Sequence, residues 1–210
     1  MQVGFSRHQP MPEMNAFSRF FVNLSARRRA NRSYARMRTD APIPPSAVCL
    51  EIGCGSGELA ARFVEGFRPA QYVATDLDPR QLELAQRTLQ RRFPSGSPSA
   101  LVFREADVLH LPFADVSYDV VLALVTIHHA SPSHHDFSRV PQALSEIDRV
   151  LRPGGLLIYE EFLHLEPIRQ WLTDHGYTLV HVRRRWRLET VVARKSAASS
   201  VADPSSGTRA

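Results

Sequence analysis

Val48-Cys49-Leu50-Glu51-Ile52-Gly53-Cys54-Gly55-Ser56-Gly57 is the stretch that decides the fold. Val48, Leu50 and Ile52 are the apolar residues of a short buried strand, and Glu51 stands at its end. Gly53, Gly55 and Gly57 form a turn, and Glu58 to Val64 opens a helical pattern. A strand feeding a glycine turn and then a helix lets a ligand approach bare backbone at the helix N-terminus. The dinucleotide fingerprint G-x-G-x-x-G would place its third glycine at position 58, where the chain has Glu58. The pattern here is E-x-G-x-G-x-G. A carboxylate at Glu51 suits a cationic ligand and not a pyrophosphate.

Downstream of this stretch, strands and helices alternate. A second strand, Gln71 to Thr75, ends at Asp76, and Pro79 takes the first position of a helix running to Arg92, with Asp78 as its cap. Leu101 to Arg104 is a third strand, and Tyr118 to Leu124 a fourth, so continuously apolar that both its faces must be covered. A helix ending at Leu151 is stopped by Arg152-Pro153-Gly154-Gly155. Leu156 to Tyr159 is a fifth strand, a short helix covers Glu166 to His175, and two last strands lie near Thr178–Val182 and Leu188–Ala193. This alternation predicts an α/β fold, a doubly wound parallel sheet covered on both faces. Ligands of such sheets lie outside the carboxyl ends of the strands. Those ends are Glu51 to Gly57, then Asp76 at about the 20-residue offset where an acid receives ribose hydroxyls, then Asp107 and Val108. Asp107 would accept from an adenine amine with Val108 against the ring, or serve as a turn-forming residue.

Length and composition suit one domain with appendages. The chain has 210 residues, 43% hydrophobic and 22% charged, the balance of a soluble globular protein. No apolar run reaches the ~20 residues of a membrane span, and residues 1–20 lack a secretory h-region. Cys49 and Cys54 sit inside the strand–turn unit, which favours packing over a disulfide and predicts a cytoplasmic, reducing setting. The formal net charge is +5, carried almost wholly by arginine, since Lys195 is the only lysine. Residues 1–45 read as a cap and linker. Asn15 caps a helix whose Phe17, Phe20, Phe21 and Leu24 form an apolar stripe, a lid over the pocket. Arg27, Arg28, Arg29, Arg32, Arg36 and Arg38 follow, either a solvated helix face or a grip on an anion or nucleic acid. The Arg-rich, acid-poor start also faintly resembles a transit peptide, against which the aromatic stripe argues. Residues 46–195 form the core domain, and 196–210, rich in Ser and Ala, a disordered tail.

Four segments carry a resemblance: LEIGCGSG, VATDLDP, READVLHLPFADVSYDVVLA and EIDRVLRPGGLLIYE, in unbroken order over residues 48–161. They resemble the class I S-adenosylmethionine-dependent methyltransferases, most of all the small-molecule branch that includes quinone-biosynthesis enzymes. The resemblance implies a Rossmann-like seven-stranded sheet of order 3-2-1-4-5-7-6, with the last strand antiparallel, and S-adenosylmethionine as cofactor. It implies that Glu51 and the turn of Gly53, Cys54, Gly55 and Gly57 hold the methionine portion. Asp76, with Leu77, would take the ribose, Asp107 and Val108 the adenine, while Leu124 and Val125 would line the methyl-transfer site. It names no acceptor.

Thr126-Ile127-His128-His129 follows the fourth strand at the pocket mouth, so His128 or His129 is a candidate general base. Packing and hydrogen bonding are the other use of such a pair. His134, His135 and Asp136 follow in an H-H-x-x-x-x-H-H spacing that fits no regular ligand helix, so no metal is expected. Of Glu160 and Glu161, alternation lets only one point inward, to shape the acceptor pocket or end in solvent. Arg183-Arg184-Arg185-Trp186-Arg187 reads as the turn between the last two strands. Alternation sets Arg183 and Arg185 on one side and Arg184 and Trp186 on the other, a grip for an anionic group or a device against edge pairing. The function expected is methyl transfer to a small-molecule acceptor. An anionic acceptor stays open, as do an RNA or protein methyltransferase and a non-catalytic S-adenosylmethionine-binding subunit. NAD-dependent oxidoreduction is disfavoured by Glu58, and the oligomeric state is not readable.

Overall fold

The computed structural model describes residues 16–133 and 136–197, with side chains from residue 25 onward. In chain order the elements are α1 (Ala16–Asp40), β1 (Val48–Ile52), α2 (Glu58–Phe67), β2 (Gln71–Asp76), α3 (Pro79–Arg92), β3 (Leu101–Glu105) and β4 (Tyr118–Leu124). A 3-10 turn (Ile127–Ala130), α4 (Val140–Val150), β5 (Leu151–Glu161), α5 (Leu165–Asp174), β6 (Tyr177–Arg185) and β7 (Leu188–Lys195) complete it. The strands form one sheet in the order β3-β2-β1-β4-β5-β7-β6. Neighbours pair parallel from β3 to β5, and β7 runs antiparallel to both β5 and β6. This is the expected topology.

Two apolar layers follow from strand alternation. Cys49, Tyr72, Ala74, Val120, Leu122 and Ile158 face α1, α2 and α3. Leu50, Val73, Val121, Leu157, Tyr159 and Val191 face α4 and α5. Position 51 therefore shares a face with position 49, and Glu160 shares one with Ile158, so both carboxylates point to the side that α1 covers. Arg183 pairs with Thr190 and Arg185 with Leu188 across β6 and β7, on that same face.

Three boundaries differ from the sequence reading. First, α1 does not stop near residue 24 but continues through the arginines to Asp40. Arginine is a good helix former, and Ala30, Tyr34 and Met37 supply a buried stripe that seats the helix in the core. Arg27, Arg28, Arg32 and Arg38 lie on its exposed side. A Cβ on Gly66 would overlap the Tyr34 hydroxyl, so that glycine sets how closely α1 approaches α2. Second, β5 begins at Leu151 and not Leu156, because Leu151 pairs with Tyr118 before a bulge brings Leu156 opposite Val120. A Cβ on Gly155, within that bulge, would lie 3.0 Å from the Asp119 carbonyl. Third, β6 extends to Arg185, leaving only Trp186 and Arg187 as the turn. The lid stripe of Phe17, Phe20, Phe21 and Leu24, its cap Asn15, His134, His135 and the tail from residue 198 lie outside what is described. Among the described residues no helix is long and apolar enough to cross a membrane.

Candidate functional site

The turn after β1 is built from left-handed backbone, with φ of 68° at Gly53, 51° at Gly55 and 71° at Gly57. Each glycine answers a different demand. A Cβ on Gly53 would overlap the Thr126 side chain, so this position admits the loop after β4. A Cβ on Gly57 would meet the Ala85 Cβ at 2.8 Å, so this position admits α3. Nothing stands within 4 Å of a Cβ on Gly55, which faces open space at the cleft. Asp76 secures the turn from the end of β2. Its Oδ2 accepts from the Gly55 N–H at 2.8 Å and its Oδ1 from the Asp78 N–H at 3.0 Å. Burial raises its pKa, opposed by the backbone N–H groups of Asp78 and Gly55.

Glu51 is a buried carboxyl of the cleft. It is 3% exposed and accepts from the Tyr72 hydroxyl at 2.9 Å. Burial pushes its carboxyl up to about 7, the Tyr72 hydrogen bond pulling the other way and Asp76 adding to the rise. A buried carboxyl held near neutrality is stabilised by an arriving cation. Cys49 and Cys54 are free, buried thiols. Burial first, then Asp119, pushes Cys49 up to about 12, and burial with Glu51 and Asp76 raises Cys54 well above the usual thiol value.

The loop after β4 closes the other wall. Val125 adopts φ 56°, a left-handed conformation that a β-branched residue takes only under constraint. The constraint is visible. Its N–H donates to the Glu160 carbonyl at 2.6 Å, and the carboxylate of Glu161 gathers the next three N–H groups. Oε1 of Glu161 lies 2.9, 2.7 and 3.4 Å from the nitrogens of Thr126, Ile127 and His128. Oε2 is 2.7 Å from His128 Nδ1. His128 is thus a buried structural partner of Glu161, whereas His129, its ring 4.0 Å from that of His128, lines the cleft. The two glutamates ending β5 are both buried, on opposite faces, so neither ends in solvent. α1 covers Glu160, which accepts from Ser33 and Arg36 at 2.9 Å each and from Thr190 at 3.1 Å.

One cavity of about 200 Å³ brings together Glu51, Gly53, Cys54, Gly55, Leu124, Val125 and His129 under Ala26, Ala30 and Ser33 of α1. Asp76 joins it through Gly55, while Gly57 caps α2 behind it. Leu77 is 47% exposed beside Asp76, an unusual setting for a leucine and a fitting one for a base or sugar face. Ala106 N–H donates to the Asp76 carbonyl at 3.2 Å, which brings the loop of Asp107 and Val108 alongside. Asp107 Oδ1 accepts from the Leu109 N–H at 2.9 Å, the turn-forming use of that residue. Among the described residues there is no cluster of metal-ligating side chains.

Residues 50–159 match the family model described as a methyltransferase domain. The chain belongs to the class I S-adenosylmethionine-dependent methyltransferases. Over 141 residues this methyltransferase domain is 36% identical to phthiotriol/phenolphthiotriol dimycocerosates methyltransferase 1 of Mycobacterium ulcerans, covering 67% of this chain and 46% of that protein. It is 29% identical over 162 residues to the fatty-acid O-methyltransferase of Mycolicibacterium smegmatis, covering 77% of this chain and 50% of that one. The chain spans about half the length of the curated relatives it matches. Among solved structures, magnesium protoporphyrin IX methyltransferase from Synechocystis superposes with a TM-score of 0.65 at 18% identity, over 88% of this chain and 86% of that one. The [4+2]-cyclase SpnF superposes with a TM-score of 0.64 at 17% identity, over 83% and 82% of the two chains. The shared fold alone does not fix the chemistry.

Sequence reasoning gave the N-terminal helix a lid role through residues 17–24 but missed that its continuation roofs the cleft of this methyltransferase domain. Ala26, Arg29, Ala30 and Ser33 form one helical face over the cleft, and their i, i+3, i+4, i+7 spacing was the available signal. It also missed Tyr72 as the partner of Glu51, a pairing that only the β1–β2 register creates.

Proposed function

We propose that the cleft binds S-adenosylmethionine and that the chain transfers its methyl group to a small-molecule acceptor. The observation that carries this is the buried, cation-seeking Glu51 beside the open face of Gly55, in a cavity that His129 also lines. These residues fit the cofactor. Glu51 would face the ammonium of its methionine portion, Asp76 the ribose hydroxyls and Leu77 the sugar or base, with Asp107 and Val108 toward the adenine. Bound there, the cofactor supplies a methyl on a sulfonium that carries its own leaving group. The chain is then left with alignment, exclusion of water and movement of one proton. Leu124 and Val125 shield the reacting groups, and α1 roofs the cleft. His129 is placed to take the acceptor's proton, and Glu161 with His128 fixes the loop that carries it. The small-molecule relatives, one of them named as a fatty-acid O-methyltransferase, support a small-molecule acceptor methylated on oxygen. A cytoplasmic setting is part of the same reading.

Calorimetric titration with S-adenosylmethionine, S-adenosylhomocysteine and NAD tests it directly. The first two should bind and NAD should not. Transfer of radiolabelled methyl to a panel of hydroxylated and carboxylated small molecules then locates the acceptor. Binding of NAD in place of the two sulfur compounds would overturn the reading.

A further inference from the structure

A second cavity, of about 280 Å³, adjoins the first. The two share Arg29, Ser33, Val125 and Glu160, so they are arms of one cleft under α1. Among the described residues, four guanidinium groups, of Arg29, Arg32, Arg36 and Arg185, line the second arm against the one carboxylate of Glu160. That carboxylate is already engaged by Arg36, Ser33 and Thr190. Arg32 and Arg185 form no ion pair among the described residues. Burial, and then the neighbouring Arg32, lower the pKa of Arg29, with Glu160 opposing. Like charges are therefore gathered along one arm, with Arg32 and Arg185 on its exposed rim, where an anion would relieve them.

The far wall is aimed by the sheet. Arg185 faces α1 because it shares a face with Arg183, whose Nη2 donates to Asp40 of α1 at 3.0 Å. The sequence reading put Trp186 on the opposite side from Arg185. Instead φ of 57° at Trp186 breaks the alternation, and both residues line the same arm. Trp186 is 91% exposed at the mouth, a large ring that packs little among the described residues. Arg184, opposite Glu189 in the register, is on the other face and does not line the arm.

We propose that this arm seats an oxyanion of the acceptor, a carboxylate or a phosphate monoester on an apolar carrier, gripped by Arg29, Arg32 and Arg185 with Trp186 against the carrier. The assignment rests on reading the adjoining arm as the methyl-transfer site. Guanidinium groups suit both oxyanions through paired, charge-assisted hydrogen bonds. The enclosed volume admits one functional group and a short carrier and is small beside a polynucleotide.

The test is calorimetry on the full chain, with S-adenosylhomocysteine titrated first and octanoate, octyl phosphate and octanol titrated next. Octanoate or octyl phosphate should bind about tenfold more tightly than octanol, and the stronger of the two names the oxyanion. Arg32→Ala and Arg185→Ala should each weaken that anion about tenfold and leave octanol within about twofold, while Arg184→Ala changes neither. Raising the salt should erode the anion's advantage in the wild type and less so in Arg185→Ala. Equal binding of octanol, or wild-type anion affinity in Arg32→Ala and Arg185→Ala, would overturn the proposal. So would a twelve-nucleotide single-stranded RNA that binds more tightly than both octyl anions. If S-adenosylhomocysteine fails to bind the wild type, the methyl-transfer reading falls on that first titration. The octyl titrations of the nucleoside-free chain still decide whether the arm holds an oxyanion.

Discussion

Replacing Glu51 by glutamine separates the cost of this residue from its use. The carboxyl is buried, with Tyr72 as a hydrogen-bond donor, and its pKa is raised from an ordinary 4.5 to about 7. In the unfolded chain the proton leaves near the lower value, in the folded chain near the higher one. Between them the folded state holds a proton that the unfolded state has lost, so stability falls as pH rises through that window and is level above it. A shift from 4.5 to about 7 corresponds to about 3 kcal/mol. Glutamine stays neutral and still offers an oxygen to Tyr72, so Glu51→Gln escapes the loss. In urea unfolding, the variant and the wild type should be nearly equal at pH 4.5, with the variant gaining about 3 kcal/mol by pH 8. Groups that titrate in both proteins cancel in the difference.

The same variant should bind S-adenosylhomocysteine at least about tenfold more weakly at pH 8, because the ligand's ammonium loses its counter-charge. Near pH 7 the wild type should release about half a proton on binding, read as a binding enthalpy that varies with the buffer's ionisation enthalpy. The variant should release none from this site. A stability difference that stays flat from pH 4.5 to 8 would refute the burial argument. Wild-type affinity in Glu51→Gln would refute the ammonium assignment.

Asp76→Ala should weaken S-adenosylhomocysteine binding by ~1.5–3 kcal/mol in calorimetry, since it removes a charged acceptor and frees the Gly55 N–H. Gly55→Val should abolish that binding by filling the open face and straining a left-handed position; unchanged affinity in both variants would sink the cofactor site. His129→Ala should lower kcat by roughly 10²-fold or more, with cofactor affinity kept, and should flatten the acid limb of the pH–rate profile; unchanged kcat would remove His129 as the base. Gly66→Ala should cost about 1–3 kcal/mol in urea unfolding by forcing Tyr34 and α1 away from α2, and Tyr34→Phe in the same chain should recover part of it.

The sheet was readable because its signals are local. Period-two apolar alternation, the glycine turn, and Asp78 with Pro79 at the start of α3 each depend on neighbours in sequence. The strand order came from resemblance, since alternation of strands and helices does not rank the strands. The bulge at Leu151–Gly155 was illegible for a related reason: proline and glycines signal a stop to a helix, and a bulged strand start satisfies that signal equally well. In the site, Glu51 and the turn were readable as a unit, being contiguous. The partition between His128 and His129 was not. It depends on Glu161, distant in sequence, which buries one ring and leaves the other at the cleft.

The cleft concentrates three features that ordinary core packing avoids: a buried carboxyl held near neutrality, a valine in left-handed backbone, and a group of arginines lining one arm. Strain and unbalanced charge of this kind persist where a ligand relieves them. Their signs differ along the cleft. The arm at Glu51 calls for a cation, and the arm at Arg32 and Arg185 calls for an anion. Val125 lies where the two arms meet. A cofactor with a cationic amino-acid end and an acceptor with an anionic end would each fit in one orientation only. An acceptor seated by its oxyanion in the far arm would then extend toward Val125 and His129. If the acceptor's anchoring anion were instead its methylated atom, Arg32 and Arg185 would have to release it to reach the first cavity, and their removal would raise kcat. A fall in acceptor affinity with kcat held separates anchoring from that alternative.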